Sequence, residues 1–215
     1  MRIGIIGAGS VGSTLARAWA NCGHQMALAT RRPEDPGLAT LALSIGPNVT
    51  AGAVPRVVEH SEAVVLATPW SAVRDLPGVP VDWSGKILID CTNPLRPDLS
   101  WLEDDEQRSG AERIAAWAEG ASVFKTLNHT GANNMANPAY ADGRPVMFVC
   151  GDDAAAKPAV LELVAELGFE AVDAGPLKVA RLLEPLAMLW LHLATNQGLG
   201  REIAFALLRR AGPAG

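Results

Sequence analysis

The sequence predicts an α/β fold built on a mostly parallel sheet. Three observations indicate this class: short apolar runs alternate with amphipathic runs, the apolar runs are continuous, and a glycine-rich turn follows the first of them. Runs such as AVVLAT and ILIDC are typical of strands that helices cover on both faces. Their alternation with helical patterns is the arrangement of βαβ units in a doubly wound sheet.

The first βαβ unit occupies the N-terminus. Arg2 to Ile6 is a short β-rich run, Ser10 to Asn21 carries apolar residues at helical spacing, and Gln25 to Thr30 is strand-like again. Further strand-like runs continue the pattern along the chain. They are Val49 to Ala53, Ala63 to Thr68, Lys86 to Cys91, Val123 to Leu127, Pro145 to Cys150 and Glu170 to Asp173.

The character of the chain changes after residue 140. Asp152 and Asp153 predict the N-cap of a helix that Gly168 ends. Lys178 to Arg210 predicts a strongly apolar helix, which packs under the sheet, against a second subunit, or both. We therefore divide the chain into a nucleotide-binding domain at 1–140 and a small α/β C-terminal subdomain at 141–215.

Composition excludes several function classes. The chain has 215 residues, a formal net charge of −5 and a pI of about 5.4, and it shows no basic patch, which disfavours nucleic acid and anionic membranes as partners. Cys22, Cys91 and Cys150 lack the spacing of a metal site and are predicted to be core residues of a reduced compartment. Glycines interrupt the first apolar stretch, so we predict no signal peptide and a cytoplasmic protein.

The glycine-rich turn has the spacing G-x-G-x-x-G at Gly7, Gly9 and Gly12. In a strand–turn–helix context, the first glycine permits the tight turn, the second admits a pyrophosphate, and the third lets helix and strand pack closely. The N-terminus of the following helix, with Ser10 and Val11 in its first turn, offers unpaired N–H groups to the anion. The motif predicts a dinucleotide site.

The end of the second strand predicts which dinucleotide binds. NAD-binding chains place a carboxylate there for the ribose 2′-hydroxyl, whereas this chain has Thr30, Arg31 and Arg32. A guanidinium pairs with a 2′-phosphate that a carboxylate would repel. The expected cofactor is NADP(H), with Arg31 as the main contact and Arg32 either a second contact or a solvated charge.

Three polar loops at strand ends are candidates for the nicotinamide side of the site: Thr68-Pro69-Trp70, Thr92-Asn93-Pro94-Leu95, and the segment from Asn128 to Asn134. Lys125 and His129 are their only obvious titratable residues, each as consistent with a structural role as with catalysis. Carbonyl reduction usually needs a positioned proton donor, whereas hydride transfer between two stacked rings needs mainly alignment. The loops favour the second chemistry.

Several segments carry a resemblance to a known family. They are IGIIGAGSVGSTLA, TRR, ATPW, KTLNHTGANNMANP, VCGDD, DAGPL and RLLEPL. With them the chain resembles the NADPH-dependent coenzyme F420 reductases, whose fold recurs in the reductase domain of six-transmembrane ferric reductases. The resemblance implies a Rossmann domain with a small C-terminal subdomain, usually dimeric, that holds NADP(H) with a deazaflavin over the nicotinamide.

The resemblance also implies roles for individual residues. Nucleotide contacts fall on Ser10, Val11, Thr30 and Arg31, the loop near the nicotinamide on Thr68, Pro69 and Trp70, and the pocket of the second ring on Asn128, Thr130, Gly131 and Ala132, with Asn196 to Gly200 as a further wall. Archaeal members have a histidine at the position of Asn128, whereas this chain has its histidine one residue later, at His129. Because of this departure, the resemblance supports F420 as the second substrate less strongly than it supports NADPH as the cofactor.

Three hypotheses follow from these patterns. The first is an oxidoreductase that moves hydride between NADPH and coenzyme F420. The second is an NADPH-dependent reductase of another small-molecule acceptor: a flavin, a ferric chelate, or a small imine or carbonyl compound. The third is a non-enzymatic NADPH sensor whose apolar C-terminal helix docks a partner, although burial in a homodimer explains that helix equally well.

Overall fold

The computed structural model describes residues 1–98, 100–103 and 108–210. Its strands are β1 (Arg2–Ile6), β2 (Gln25–Ala29), β3 (Val49–Gly52), β4 (Ala63–Leu66), β5 (Ile87–Asp90), β6 (Ser122–Lys125), β7 (Val146–Gly151) and β8 (Glu170–Gly175). Its α-helices are α1 (Ser10–Asn21), α2 (Pro36–Ile45), α3 (Val54–His60), α4 (Trp70–Val73), α5 (Gly110–Trp117), α6 (Ala132–Ala136), α7 (Lys157–Glu166) and α8 (Ala180–Leu191). Short 3₁₀ turns span Leu76–Gly78 and Leu177–Val179, and a π-helical turn, His192–Asn196, continues α8.

All eight strands belong to one sheet in the order β3-β2-β1-β4-β5-β6-β7-β8. The first six strands are parallel to one another. Strand β7 pairs antiparallel with β6, and β8 pairs parallel with β7. From β1 the chain first builds outward to β3 and then crosses to β4 on the other side of β1. This reversal opens a crevice at the carboxyl ends of β1 and β4, where doubly wound folds bind ligands. The predicted fold class is confirmed.

Two apolar layers cover the faces of the sheet. On one face Leu15 and Trp19 of α1 are fully buried, and Trp19 Nε1 donates a hydrogen bond of 2.9 Å to the carbonyl of Leu163 in α7. On the other face Trp70 and Ile114 pack from α4 and α5. The C-terminal strands therefore share their core with the N-terminal ones.

The division of the chain at residues 140 and 141 stays a prediction. The strands β7 and β8 of the predicted subdomain extend the same sheet across the β6–β7 pair, in which Lys125 faces Cys150. The last five residues of that predicted subdomain, 211–215, lie outside the described residues.

Three local predictions were wrong. The helix expected over Lys178 to Arg210 ends at Asn196, because Gly198 and Gly200 then adopt left-handed backbone with φ of 70° and 77°. The helix expected from Asp152 begins at Lys157, because Asp153 Oδ1 accepts from the Ala155 and Ala156 amides and caps a preceding turn instead. Cys22 is exposed rather than buried.

No helix in the described ranges of the chain combines the length and apolar character that crossing a bilayer requires.

Candidate active site

The turn between β1 and α1 shows why its three glycines are needed. Gly7 has a φ of 115°, and a Cβ there would lie 2.3 Å from the Ala67 carbonyl oxygen. A Cβ on Gly12 would lie 1.8 Å from the carbonyl oxygen of Gly7. A Cβ on Gly9, in contrast, would meet no protein atom within 4 Å, so this backbone faces open space in the crevice.

Helix α1 points its N-terminus at that open space. Gly9 is the N-cap and provides no side-chain cap, so the first N–H groups, which include those of Ser10 and Val11, remain available to a ligand. The helix contains no acidic residue in its first turn. The helix dipole therefore favours an anion there.

The first of two adjoining cavities, about 500 Å³, extends from Gly7 and Gly9 to the end of β2. Thr30 and Arg31 line this cavity. Arg31 Nη1 lies 3.8 Å from Oδ2 of Asp75, which lines the same cavity. Arg32 does not line this cavity, and its amide donates to Thr30 Oγ1 at 3.2 Å. The structure therefore places Arg31 on the wall of this cavity, and a contact of Arg32 with the cofactor stays a prediction.

The second cavity, about 570 Å³, lies on the other side of the glycine-rich turn. It shares Gly9, Ala67 and the predicted Thr68-Pro69 loop with the first cavity. Its remaining walls are the predicted Ser10, Val11, Trp70 and Asn93, together with Ser71, Arg74, Cys91, Thr92, Leu95, Arg96 and Pro97. The shared wall makes the two cavities one continuous cleft.

Trp70 is held rigidly at the edge of this cleft. Its Nε1 donates to Glu103 Oε2 at 2.8 Å, and the Arg113 guanidinium lies 4.7 Å above the ring centroid. Arg113 and Arg74 both pair with Glu103, at 3.2 and 3.3 Å. Trp70 is 5% exposed, so these contacts fix a largely buried indole whose edge lines the cleft.

Lys125 lies within a buried ionic cluster below the cleft. Its side chain is 0% exposed, and its Nζ lies 2.8 Å from Asp90 Oδ2 and 3.1 Å from Glu184 Oε1. Burial acts to lower the pKa of Lys125, but the charges of Asp90 and Glu184 outweigh it and raise that pKa above its ordinary value. Lys125 is therefore the cation of this cluster near neutral pH.

The cluster ties distant segments to the cleft. Asp90 Oδ1 accepts from the Thr92 amide at 2.9 Å and from its hydroxyl at 2.7 Å, and Lys125 Nζ donates to the Thr92 carbonyl. The Glu184 carboxylate accepts from the Gly110 and Ala111 amides, at 3.0 and 3.2 Å. Helix α8 is therefore joined to the start of α5 and, through Lys125, to the cleft loop.

His129 is a buried neutral residue. It is 2% exposed, its Nε2 accepts from the Phe148 amide at 3.3 Å, and its ring packs against Phe148 and Phe205. Desolvation by this burial lowers the pKa of His129 to about 4. Neither His129 nor Lys125 lines either cavity.

The segment that the resemblance assigned to the second ring's pocket lies behind the cleft wall. Asn128 is 6% exposed and donates from Nδ2 to Asn93 Oδ1 at 3.0 Å and to the Leu183 carbonyl at 2.9 Å. The preceding Leu127 holds a left-handed φ of 57°, which turns Asn128 toward these partners. Asn93 returns a bond from its Nδ2 to the Asn128 carbonyl at 2.9 Å.

Thr130, Gly131 and Ala132 continue that segment into α6, away from the walls of both cavities. Gly131 allows close packing of Trp190, whose ring would lie 3.0 Å from an added Cβ. Thr130 Oγ1 accepts from Asn134 Nδ2 at 3.0 Å. The Asn196 to Gly200 turn also lines neither cavity. The pocket role of these residues therefore stays a prediction.

Comparisons with known proteins agree with this geometry. The family model described as "NADP oxidoreductase coenzyme F420-dependent" matches residues 2–94, which contain the whole glycine turn and the Arg31 loop. A crystal structure from Arthrobacter sp. FB24, assigned as an F420-dependent NADP reductase, is 32% identical. It superposes with a TM-score of 0.86 over 96% of this chain and 99% of that one. The chain belongs to the coenzyme F420-dependent NADP oxidoreductase family.

More distant relatives extend the comparison. Metalloreductase STEAP3 of Rattus norvegicus is 27% identical over 214 residues, which are 95% of this chain but 40% of the rat protein, and Metalloreductase STEAP2 of Homo sapiens is 25% identical over 195 residues. The chain therefore spans less than half the length of the curated relatives it matches. The reductive aminase of Aspergillus terreus, in complex with NADPH and ethyl levulinate, shares the fold at 21% identity and a TM-score of 0.66 over 92% of this chain and 62% of that one.

The family is one of NADP oxidoreductases, and the cleft fits NADP(H). The open backbone at Gly9 and the uncapped start of α1 suit a pyrophosphate. Arg31 stands on the wall of the cavity that begins at the same turn. No carboxylate occupies the position that NAD-binding chains use at the end of β2, since Ala29 is followed by Thr30.

Sequence reasoning missed the buried cluster of this family member. Asp90 ends the apolar run ILID and Glu184 interrupts the apolar run LLEPL, and both residues are buried. An acid inside an apolar run is a usable indication of a buried partner, since buried charges are paired. Pairing either acid with Lys125 needs the tertiary fold, because Asp90 lies 35 residues from Lys125 in sequence and Glu184 lies in the C-terminal helix.

Proposed function

We propose that this chain transfers hydride between NADPH and the deazaflavin coenzyme F420. In this proposal Arg31 pairs with the 2′-phosphate, the Gly9 backbone and the start of α1 hold the pyrophosphate, and the nicotinamide lies in the second cavity. Thr68, Pro69, Trp70 and Asn93 line that cavity, as do Ser10 and Val11. Bound NADPH supplies the hydride, and the chain's own residues orient it and exclude water.

The observation that carries this proposal is the chemistry of the second cavity. Among the described residues that line it there is no Asp, Glu, His, Lys or Tyr. Burial raises the pKa of the Cys91 thiol far above neutrality, which leaves Cys91 protonated and a poor acid. The guanidinium groups of Arg74 and Arg96 do not release protons near neutral pH. Hydride transfer between two flat rings suits such walls, because it requires alignment rather than a proton donor.

Lys125 and His129 take no part in catalytic proton transfer. Both side chains are buried and engaged with protein partners. The residues that act on the ligands are instead the planar Trp70, fixed through Glu103, and Asn93, fixed through Asn128. Their task is to hold the two rings face to face.

Another acceptor is the main competing function. Relatives named as metalloreductases favour a ferric chelate as the acceptor. The fold shared with reductive aminases and imine reductases is consistent with an imine or carbonyl compound as the acceptor. An imine reductase would have to obtain its proton from solvent in this cleft, which disfavours it. A sensor would bind NADPH tightly, and none of the acceptors would oxidise the bound NADPH.

One assay separates these functions. The purified chain is mixed with NADPH and, separately, F420, FMN, FAD, a ferric chelate and a cyclic imine, and the nicotinamide and deazaflavin absorbances are followed. Oxidation of NADPH with F420, matched by loss of the deazaflavin band, is the expected result, with NADH as the matched control donor. Turnover with another acceptor but not F420 would contradict the proposal, and binding without turnover would favour the sensor.

We further propose that the chain forms a homodimer through α8. Leu182 and Leu189 lie on that helix with 69% and 48% of their surfaces exposed. They are separated by two helical turns and so lie on one side of the helix. Burying such leucines against a second copy is favourable. A C-terminal subdomain that forms this interface and a cytoplasmic location both stay predictions.

A further inference from the structure

Thr92 is the point at which the buried cluster reaches the cleft. It follows β5, lines the second cavity and is 5% exposed. Its amide and hydroxyl both donate to Asp90 Oδ1, at 2.9 and 2.7 Å, and its carbonyl accepts from Lys125 Nζ. Three separate contacts thus fix one cavity residue to one buried ion pair.

The direction of the hydroxyl bond follows from the charge state of Asp90. Lys125 Nζ lies 2.8 Å from the other carboxylate oxygen, and the charges of Asp90 and Glu184 raise the pKa of Lys125 in spite of its burial, so Lys125 is a cation paired with the Asp90 carboxylate. An ionised carboxylate can only accept hydrogen bonds. The single hydroxyl hydrogen of Thr92 is therefore donated to Asp90. Toward any ligand, Oγ1 can act only as a hydrogen-bond acceptor, through its lone pairs.

The neighbouring side-chain amide of Asn93 is engaged at both of its ends by Asn128. Asn93 Oδ1 already accepts from Asn128 Nδ2 at 3.0 Å, and Asn93 Nδ2 donates to the Asn128 carbonyl at 2.9 Å. Thr92, which lines the cavity, thus keeps on Oγ1 an acceptor lone pair, while its hydroxyl hydrogen stays on Asp90. A ligand group that complements it must carry an N–H or O–H donor.

We propose that Thr92 Oγ1 accepts a hydrogen bond from the carboxamide N–H of the nicotinamide, with Asp90 as the positioning residue that holds the hydroxyl in this polarity. The carboxamide carries the only N–H donors of the nicotinamide ring. The second cavity extends from Gly9, where the pyrophosphate is held, to Thr92. The contact sets the rotation of the ring and so the face that the hydride leaves from. The inference rests on NADP(H) binding and not on the identity of the acceptor.

The test is a comparison of two ligands on three proteins. Dissociation constants of NADP⁺ and of its 3-acetylpyridine analogue, which replaces the carboxamide NH₂ by a methyl group, are measured without any acceptor. Thr92→Val keeps the shape of the side chain and removes the hydroxyl, and Thr92→Ser restores the hydroxyl. We expect Thr92→Val to weaken NADP⁺ binding about three- to ten-fold, the loss of one hydrogen bond, and to leave the analogue unchanged.

The controls separate the contact from a disturbed loop. Equal weakening of both ligands by Thr92→Val, or no weakening of either, would overturn the proposal, as would a Thr92→Ser variant that behaves like Thr92→Val. If Thr92→Val does not fold, Thr92→Ala carries the same comparison. Because no hydride acceptor is present, failure here is independent of whether F420 is the second substrate.

Discussion

Lys125 Nζ and Glu184 Oε1 lie 3.1 Å apart, although one residue ends β6 and the other lies within α8. Both side chains are buried, and the Glu184 carboxylate also accepts hydrogen bonds from the first two amides of α5. The pair therefore joins the nucleotide-binding strands to the C-terminal helix at the base of the cleft.

Loss of Lys125 should destabilise the protein strongly. Lys125→Met leaves the carboxylates of Asp90 and Glu184 buried without their cation, and breaking a buried pair in this way costs about 3 to 5 kcal/mol of unfolding free energy. Urea unfolding measures the effect. The matched control is Arg2→Met, whose side chain is 63% exposed beside Glu62 and whose ion pair is worth less than about 1 kcal/mol. Equal stability of the two variants would show that the buried cluster is not needed.

Two glycine variants should separate cofactor binding from folding. Gly9→Ala places its Cβ in open space, so we expect a stability change of about 1 kcal/mol or less and a rise of at least ten-fold or so in the NADPH dissociation constant. Gly12→Ala drives a Cβ toward the Gly7 carbonyl, so we expect a loss of about 1 to 3 kcal/mol or more. Calorimetry and nucleotide titration measure both quantities. Unimpaired NADPH binding by Gly9→Ala would contradict a pyrophosphate site at this turn.

Two adjacent arginines should differ in their effect on nucleotide choice. Arg31→Ala removes the guanidinium on the cavity wall and should weaken NADPH binding roughly ten- to hundred-fold, with little effect on NADH. Arg32→Ala changes a neighbour of the same charge that does not line the cavity, so both nucleotides should bind nearly as before. Titration of each variant with both nucleotides decides the matter. An equal loss of NADPH and NADH affinity in Arg31→Ala would contradict a 2′-phosphate contact.

His129 should make stability depend on pH. Its pKa falls from 6.5 in the unfolded chain to about 4 in the fold, so the unfolded state binds the extra proton first as the pH falls. The stabilisation is complete above pH 6.5 and is lost progressively down to pH 4, by about 3 kcal/mol in all. His129→Gln should flatten the dependence of unfolding free energy on pH in this window. His60→Gln, at a side chain that is 66% exposed, should leave the slope as it is.

Oligomeric state should respond to the exposed face of α8. The double variant Leu182→Glu, Leu189→Glu places charges on the proposed interface and should shift the chain from dimer to monomer in analytical ultracentrifugation. Leu43→Glu on α2 is the control, because Leu43 is 80% exposed but lies on another helix. A monomeric wild-type chain, or an unchanged dimer in the double variant, would rule out this interface.

The sequence predicted the nucleotide half of the cleft because its determinants are local. Gly7, Gly9 and Gly12 lie in one turn, and Arg31 follows the next strand within the same βαβ unit. Hydrophobic periodicity and turn chemistry act over such short distances, so they can be read without a fold. The errors arose where a backbone turn or cap overrode periodicity, as at Gly198 and Asp153.

Only the tertiary structure decided the roles of Lys125, His129 and Thr92. In the sequence Lys125 and His129 are titratable residues near strand ends, and Thr92 is one hydroxyl among several. The fold buries Lys125 between Asp90 and Glu184 and packs His129 between Phe148 and Phe205. By orienting Asp90 it also leaves Thr92 an acceptor in the cleft. The charge and hydrogen-bond direction of a group depend on partners that only long-range packing brings within a few ångströms, and periodicity carries no information about them.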